Sequence, residues 1–399
     1  MIAFPVFTVG VLFYICSMLF SEILGQVHIK SHLTKSADSG RIPHAQLFVG
    51  PEGSGTLPMA IAYAQYILCS NVDGENHSGN EACNLKFAHF SHPDLHFVFP
   101  VSSNDEVKSH PVSANFMKHW REFVTTTPYG GLFDWYKSIG IQNKQGQIGV
   151  DEAQEIVKSL SLKSYEGGYK VMIIWMADKM NIATSNKLLK LLEEPPQKTV
   201  FLLITENEDD ILQTILSRCQ VLHFSGLPES VIAETLVSRE KIEEKSAFKL
   251  AHQAQGNYNK ALQLLHKNED DFPFEVWFVQ WVRAAFRAKG NAAAIQDLIS
   301  WSEEIAGIGR EAQKQFLHFC IEMFRQALLL NYQSPKLVYI EPTVEKFKLE
   351  NFAPFVNGNN IHDIFKELSD AIYHIERNGN AKIILTDLSI KLTRLIHKK

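Results

Sequence analysis

Glycines at positions 50, 53 and 55, in the stretch GPEGSGTLP, have the spacing of a phosphate-binding loop. The apolar run from Ala45 to Val49 precedes them and a helix-forming stretch follows. A strand, a glycine-rich turn and a helix start gather several backbone N–H groups around one point, which suits an anion. In the full pattern, G-x-x-x-x-G-K-[ST], the lysine reaches the terminal phosphates and the hydroxyl holds magnesium. Here Thr56 and Leu57 stand in those two places, and Pro58 removes a backbone donor from the first helical turn. The second half of such a site is missing too. The strand VMIIWMADKMN should end in adjacent carboxylates, but its tip reads Trp175-Met176-Ala177, with Asp178 displaced. Gly50, Gly53, Gly55 and Thr56 are therefore candidate nucleotide residues in a degenerate loop, from which no ATP binding is expected. The bland alternative is a tight turn with no nucleotide history. An active ATPase with a non-standard loop needs a cation at the phosphates, and no Lys or Arg lies between Arg41 and Lys86.

The elements around the loop alternate in type. GQVHIKSHLTKSADSG has helical periodicity, AQLFVG is a short buried strand, and TLPMAIAYAQYILCS is a helix directly after the glycines. DLHFVFP reads as a second strand, GVDEAQEIVKSLSLKS as an amphipathic helix with acids in its first turn, and YKVMIIWMA as a third strand. ATSNKLLKLLEE is a helix stopped by Pro195-Pro196, and TVFLLIT is a fourth strand. Strands separated by long helices predict a parallel sheet with helices on both faces. Strand signals cease near residue 227. A small helical unit follows, and the pattern from about residue 270 onward is entirely helical. The expected organisation is an apolar N-terminal extension over 1–17, an α/β domain over 18–226, a helical lid over 227–268 and an all-α domain over 269–399.

With 399 residues the chain is long enough for several cores, and 45% hydrophobic with 21% charged residues is ordinary globular composition. A net charge of −5 supplies no basic field for nucleic acid. Five scattered cysteines (16, 69, 83, 219 and 320) do not form a secreted disulfide framework, so the chain reads as cytoplasmic. Residues 1–20 disagree: they carry no charge and are long enough to span a bilayer. They lack the basic start of a signal peptide and the flanking Lys or Arg of an anchor, since the nearest charge is Glu22. Three readings stand: an upstream extension with Met18 as the natural start, a membrane anchor, and a buried or interfacial helix. A membrane-anchored scaffold rests on this segment alone.

FSEILGQVHIKSHL, GRIPHAQLFVGPEGSG, HPDLHFVFP, NKLLKLLEEPP and TILSRCQVLHF occur in the order and approximate spacing seen in bacterial clamp-loader AAA+ subunits, which the chain resembles over about residues 18–225. Within that family it is most similar to the delta-prime branch of the DNA polymerase III clamp loader. That branch commonly lacks the lysine and the carboxylates, as this chain does. The resemblance implies a P-loop-type AAA+ domain, a lid and an oligomerising collar. It also implies a stator-like role without hydrolysis, within a DNA polymerase holoenzyme that loads the sliding clamp onto primed DNA. The implied partners are the tau/gamma and delta subunits, the clamp, and DNA through the complex. A clamp-loader ATPase of the tau/gamma type is the alternative.

By the same resemblance Arg218, in Ser217-Arg218-Cys219, is an arginine finger acting in trans on a neighbour's ATP, with Ser217 and Cys219 orienting it. A guanidinium presents forked donors to phosphate oxygens and stabilises transition-state charge. Without that role Arg218 is a surface residue capping a helix or pairing with Asp209 or Asp210. Asn259 stands where hydrolysing relatives carry a sensor arginine, and Thr205 near a polar sensor position at a strand end. Relatives also carry a four-cysteine zinc knuckle after the loop helix. Only Cys69 and Cys83 remain here, with His77, His89 and His92 nearby, and the Cys-x2-Cys spacing is absent, so no metal is expected.

Overall fold

The computed structural model describes residues 19–69, 81–165, 168–266 and 272–398. The segment 1–17, Met18 and His77 lie outside the described residues. In chain order the first elements are α1 (Val27–Asp38), β1 (Ala45–Val49), α2 (Thr56–Cys69), α3 (Glu81–Ala88), β2 (Leu95–Val98), α4 (Met117–Thr126) and α5 (Leu132–Ser138). Next come α6 (Val150–Ser161), β3 (Lys170–Ile174), α7 (Ile182–Glu193), β4 (Thr199–Thr205), α8 (Gln213–Leu216) and β5 (Gln220–His223). The remainder is helical: α9 (Glu229–Glu240), α10 (Glu244–Ala254), α11 (Tyr258–Leu265), α12 (Phe274–Arg287), α13 (Ala292–Ala306), α14 (Arg310–Asn331), α15 (Leu349–Phe352), α16 (Ile361–Glu376) and α17 (Ala381–Leu395). The chain divides into two compact units. One comprises Met1–Phe99, Met117–Tyr129 and Gly149–Ser225; the other comprises Pro100–Phe116, Gly130–Ile148 and Gly226–Lys399.

The first unit is built on a five-stranded sheet of order β2-β3-β4-β1-β5, every pair parallel. β1, β3 and β4 are buried at every residue, because helices cover both faces of a parallel sheet. That is why their sequences run apolar instead of alternating. Leu47 of β1 aligns with Leu203 of β4 on one side and Val221 of β5 on the other. β5 is the strand the sequence pattern did not announce. As an edge strand it is only partly buried, and QVLH offers neither a clean apolar run nor an alternation. α4 was likewise unannounced, and it supplies Trp120, which stacks on Phe99 at 4.1 Å between ring centroids and lies 5.3 Å from Trp175.

The five scattered cysteines form no secreted disulfide framework by their spacing, and the structure adds what that spacing does not show: Cys69 at the end of α2 is disulfide-bonded to Cys83 in α3, with Cα atoms 5.5 Å apart. Two neighbouring helices bring the two sulfurs together although fourteen positions separate them in sequence. The bond uses both sulfurs, so neither is a thiolate for a metal.

In the second unit α9, α10 and α11 pack together, and α12 to α17 enclose a separate aromatic core. Trp281 and Trp301 stack at 5.0 Å, with Phe316 and Phe324 around them. The stretch between α14 and α16 departs from the uniformly helical expectation, consisting of short turns around α15. Pro335, Pro342 and Pro354 in that stretch each lack the N–H a continuous helix would use. Among the described residues no helix is long and apolar enough to cross a membrane.

Candidate nucleotide loop and arginine edge

The glycine loop joins β1 to α2 at the carboxyl end of the sheet, as the spacing predicted. Gly53 and Gly55 adopt φ of 72° and 94°, a backbone region that L side chains disfavour. A side chain at Gly55 would also meet the Tyr129 ring at 3.1 Å. Tyr129 is itself buried, and its hydroxyl accepts a hydrogen bond from the Leu24 N–H at 2.8 Å. Gln26 donates from Nε2 to the Ser54 carbonyl at 3.1 Å and the Ser225 carbonyl at 2.7 Å, stitching the loop to the segment after β5. Gly53, Ser54 and Gly55 are buried under these contacts. The Ser54 hydroxyl is fully buried and has no hydrogen-bond partner among the described residues. The loop is a built turn covered by its own chain.

The strand tip beside it is apolar. Trp175, just past β3, is 2% exposed and sits against Trp120 and Phe123, while Met176 turns the chain with φ of 53°. Asp178 follows, but it is already engaged: Lys179 Nζ lies 2.8 Å from its carboxylate and the Thr205 hydroxyl 3.1 Å. The same hydroxyl lies 2.9 Å from the Asn207 carbonyl, so its single proton serves one acceptor at a time. These residues do not fit Mg-ATP: no Lys or Arg stands in the loop, Leu57 occupies the place of the magnesium-binding hydroxyl, and the tip carboxylate is already paired with Lys179.

In the second unit Asn259 is buried and donates from Nδ2 to Asp134 at 2.7 Å. Gln263 and the Gly131 N–H donate to the same carboxylate. The position expected to lack a sensor arginine is thus occupied by a neutral amide serving a carboxylate of its own unit.

Arg218 lies in the turn between α8 and β5, at the sheet edge. Its guanidinium donates to the Thr214 carbonyl at 2.8 Å and to Glu193 Oε1 at 2.5 Å. The expected alternative partners, Asp209 and Asp210, are not the ones used; Glu193 ends α7 within the LLKLLEEPP stretch and lies closer to the turn. Two separate sequence signatures therefore meet in one ion pair. Ser217 helps place the guanidinium, its Oγ accepting from Arg218 at 3.4 Å. Cys219 is half-buried, and burial pushes its thiol up to about 11, so it is protonated and inert near neutrality. The Arg218 side chain is 35% exposed and that of Glu193 49%, which leaves the pair open to solvent and to a competing anion. Sequence reasoning missed Gln26, Tyr129, Ser54 and Glu193. Of these, Gln26, Ser54 and Glu193 lay inside stretches already singled out, whereas Tyr129 carries no local signal.

The sheet order and the glycine loop between β1 and α2 together define an AAA+ type α/β domain of the P-loop class. The family described as "DNA polymerase III, delta subunit" matches residues 25–228, just over half of the chain, and the chain belongs to that family as a delta-prime-like clamp-loader subunit. It is 28% identical over 244 residues to DNA polymerase III subunit delta' of Bacillus subtilis, covering 61% of this chain and 60% of that protein. It is also 28% identical over 251 residues to subunit tau of the same organism, covering 62% and 37%. The matched stretch thus spans less than two thirds of either relative. A solved DNA polymerase III gamma-subunit-related protein of Thermotoga maritima covers 92% of this chain and 99% of its own at 14% identity and a TM-score of 0.37.

Proposed function

We propose that this chain is a clamp-loader subunit that does not hydrolyse ATP itself and lends Arg218 to ATP held by a neighbouring subunit. The observation that carries the proposal is the contrast within one domain. The loop that would hold a nucleotide lacks its cation and is covered by Tyr129, whereas a guanidinium stands at the sheet edge, held by one half-exposed carboxylate. Phosphate oxygens accept the same forked donors as Glu193 does, so a neighbour's nucleotide can replace that carboxylate without rebuilding the turn. In this reading residues 227–268 act as a lid and 269–399 as the collar that joins a ring with tau/gamma and delta. The ring opens the sliding clamp and places it on primed DNA. Contact between DNA and this acidic chain is weak and shared.

The likeness to tau keeps one rival, an active ATPase with a non-standard loop. Calorimetry of the purified chain separates the two. Loss of the lysine removes a charge-assisted contact of about 1.5–3 kcal/mol, so Mg-ATP is expected to give no saturation at sub-millimolar concentration and no turnover. Micromolar binding with phosphate release would establish the ATPase instead. Recovery of tau/gamma, delta and the clamp with the tagged chain tests the assembly.

A further inference from the structure

Within the second unit, α12 and the irregular stretch before α16 enclose a cavity of about 490 Å³ that the reading above leaves unused. Its volume falls in the range of concave ligand sites, roughly 300–1,000 Å³. The floor is aromatic: Phe286, Phe347, Phe352 and Phe355 line it. Phe286 and Phe355 meet edge to face at 4.9 Å and are 45% and 36% exposed, so this aromatic shelf is presented to solvent. The rim is cationic. Arg283, Arg287, Lys346 and Lys348 surround the opening, and no carboxylate lines it. Arg287 is paired with Asp297 at 3.2 Å, and Lys346 lies 3.9 Å from Glu345. Arg283 donates to the Lys346 carbonyl at 2.9 Å, which fixes its guanidinium beside the opening.

A cluster of this sign is unusual in a chain whose net charge is −5. Asp297 and Glu345 offset two of the four cations, and the rim keeps a positive excess that an anionic partner can meet. We infer that this cavity binds an acidic peptide segment of a partner protein, one bulky apolar side chain seated on the aromatic floor and flanking carboxylates paired with the rim. The charges are spread along two sides of the opening, and a chain with several carboxylates meets them where a single anionic head group meets one. Aromatic burial supplies affinity and the cationic rim supplies selection and encounter rate.

The test uses the full chain and a short fluorescein-tagged peptide of Asp and Glu with one central Trp, followed by fluorescence anisotropy. Saturable binding that weakens as salt is raised is expected. Replacing the tryptophan by alanine, or the acids by lysines, should abolish it. Lys346→Glu with Lys348→Glu changes two exposed side chains and should weaken binding by about tenfold or more. Circular dichroism should show an unchanged melting temperature for that variant. Absent binding at millimolar protein would overturn the assignment, as would equal affinity for the lysine peptide or in the double variant. Displacement by dodecanoate as tight as peptide binding itself would assign the cavity to single-headed amphipathic anions instead. A concentration-dependent dimer that the double variant abolishes would assign it to a second copy.

Discussion

The loop at Gly50–Thr56 and the turn at Ser217–Cys219 lie in the same α/β unit and have been furnished in opposite ways. At the loop, packing dominates: Tyr129 covers Gly55, Gln26 ties the Ser54 carbonyl, and the adjacent strand tip is tryptophan. At the turn, packing is sparse and a charge is kept at the surface by a carboxylate that solvent can reach. The difference separates residues that hold the fold from residues that can leave it. A perturbation at the loop should register as stability, and one at the turn as activity of whatever it joins.

The sharpest way to break this contrast is Arg218→Ala. Fingers of this kind are typically worth about 10³–10⁵ in rate at one site. A reconstituted clamp loader carrying the variant should lose a large part of its DNA-stimulated ATPase, while size-exclusion chromatography shows intact assembly. Arg218→Lys should rescue poorly, since an ammonium keeps the charge without the planar fork. Unchanged turnover would reduce Arg218 to a surface residue.

The loop side should answer differently. Tyr129→Ala removes a buried ring and strands the Leu24 N–H, and is expected to cost about 3–5 kcal/mol in urea unfolding. Gly55→Ala combines a positive φ with the 3.1 Å contact to that ring, and about 1–3 kcal/mol is expected from the same measurement. If either leaves the unfolding midpoint in place, the loop is not the packed turn described above. Smallest is Glu193→Gln. A half-exposed pair is worth about 0–1 kcal/mol, so thermal unfolding should barely move. ATPase of the assembled complex should hold or rise, because the competitor for the guanidinium has lost its charge. A marked fall in ATPase would mean that Glu193 positions Arg218 for the reaction.

Much of the fold was legible because its signals are local. β4 matches TVFLLIT residue for residue, since a strand buried on both faces must be continuously apolar. α16 and α17 follow directly from their apolar periodicity. What was illegible depends on tertiary partners. β5 is a strand only because β1 offers it an edge, and the helices α3, α4 and α5 were all overlooked, each being short. At the site, the glycines and the arginine were visible as motifs, whereas Tyr129 is defined by the loop it covers, more than seventy positions earlier in the chain. The choice of Glu193 over Asp209 or Asp210 was decided by where α7 ends. The Cys69–Cys83 bond was missed for the same reason, because cysteine number and spacing say nothing of two helices lying side by side.

Trp175 also bears on what the strand tip can accept. A carboxylate placed at that tip would enter a position 2% exposed and ringed by Trp120 and Phe123. An unpaired charge there carries a desolvation penalty of several kcal/mol, comparable with a domain's whole margin of stability. Making room would need the aromatic neighbours to shrink first, and each such step leaves a cavity before any acid is accommodated. The tip is therefore locked as a unit: its surface can vary freely, but an acid enters only if several rings change together.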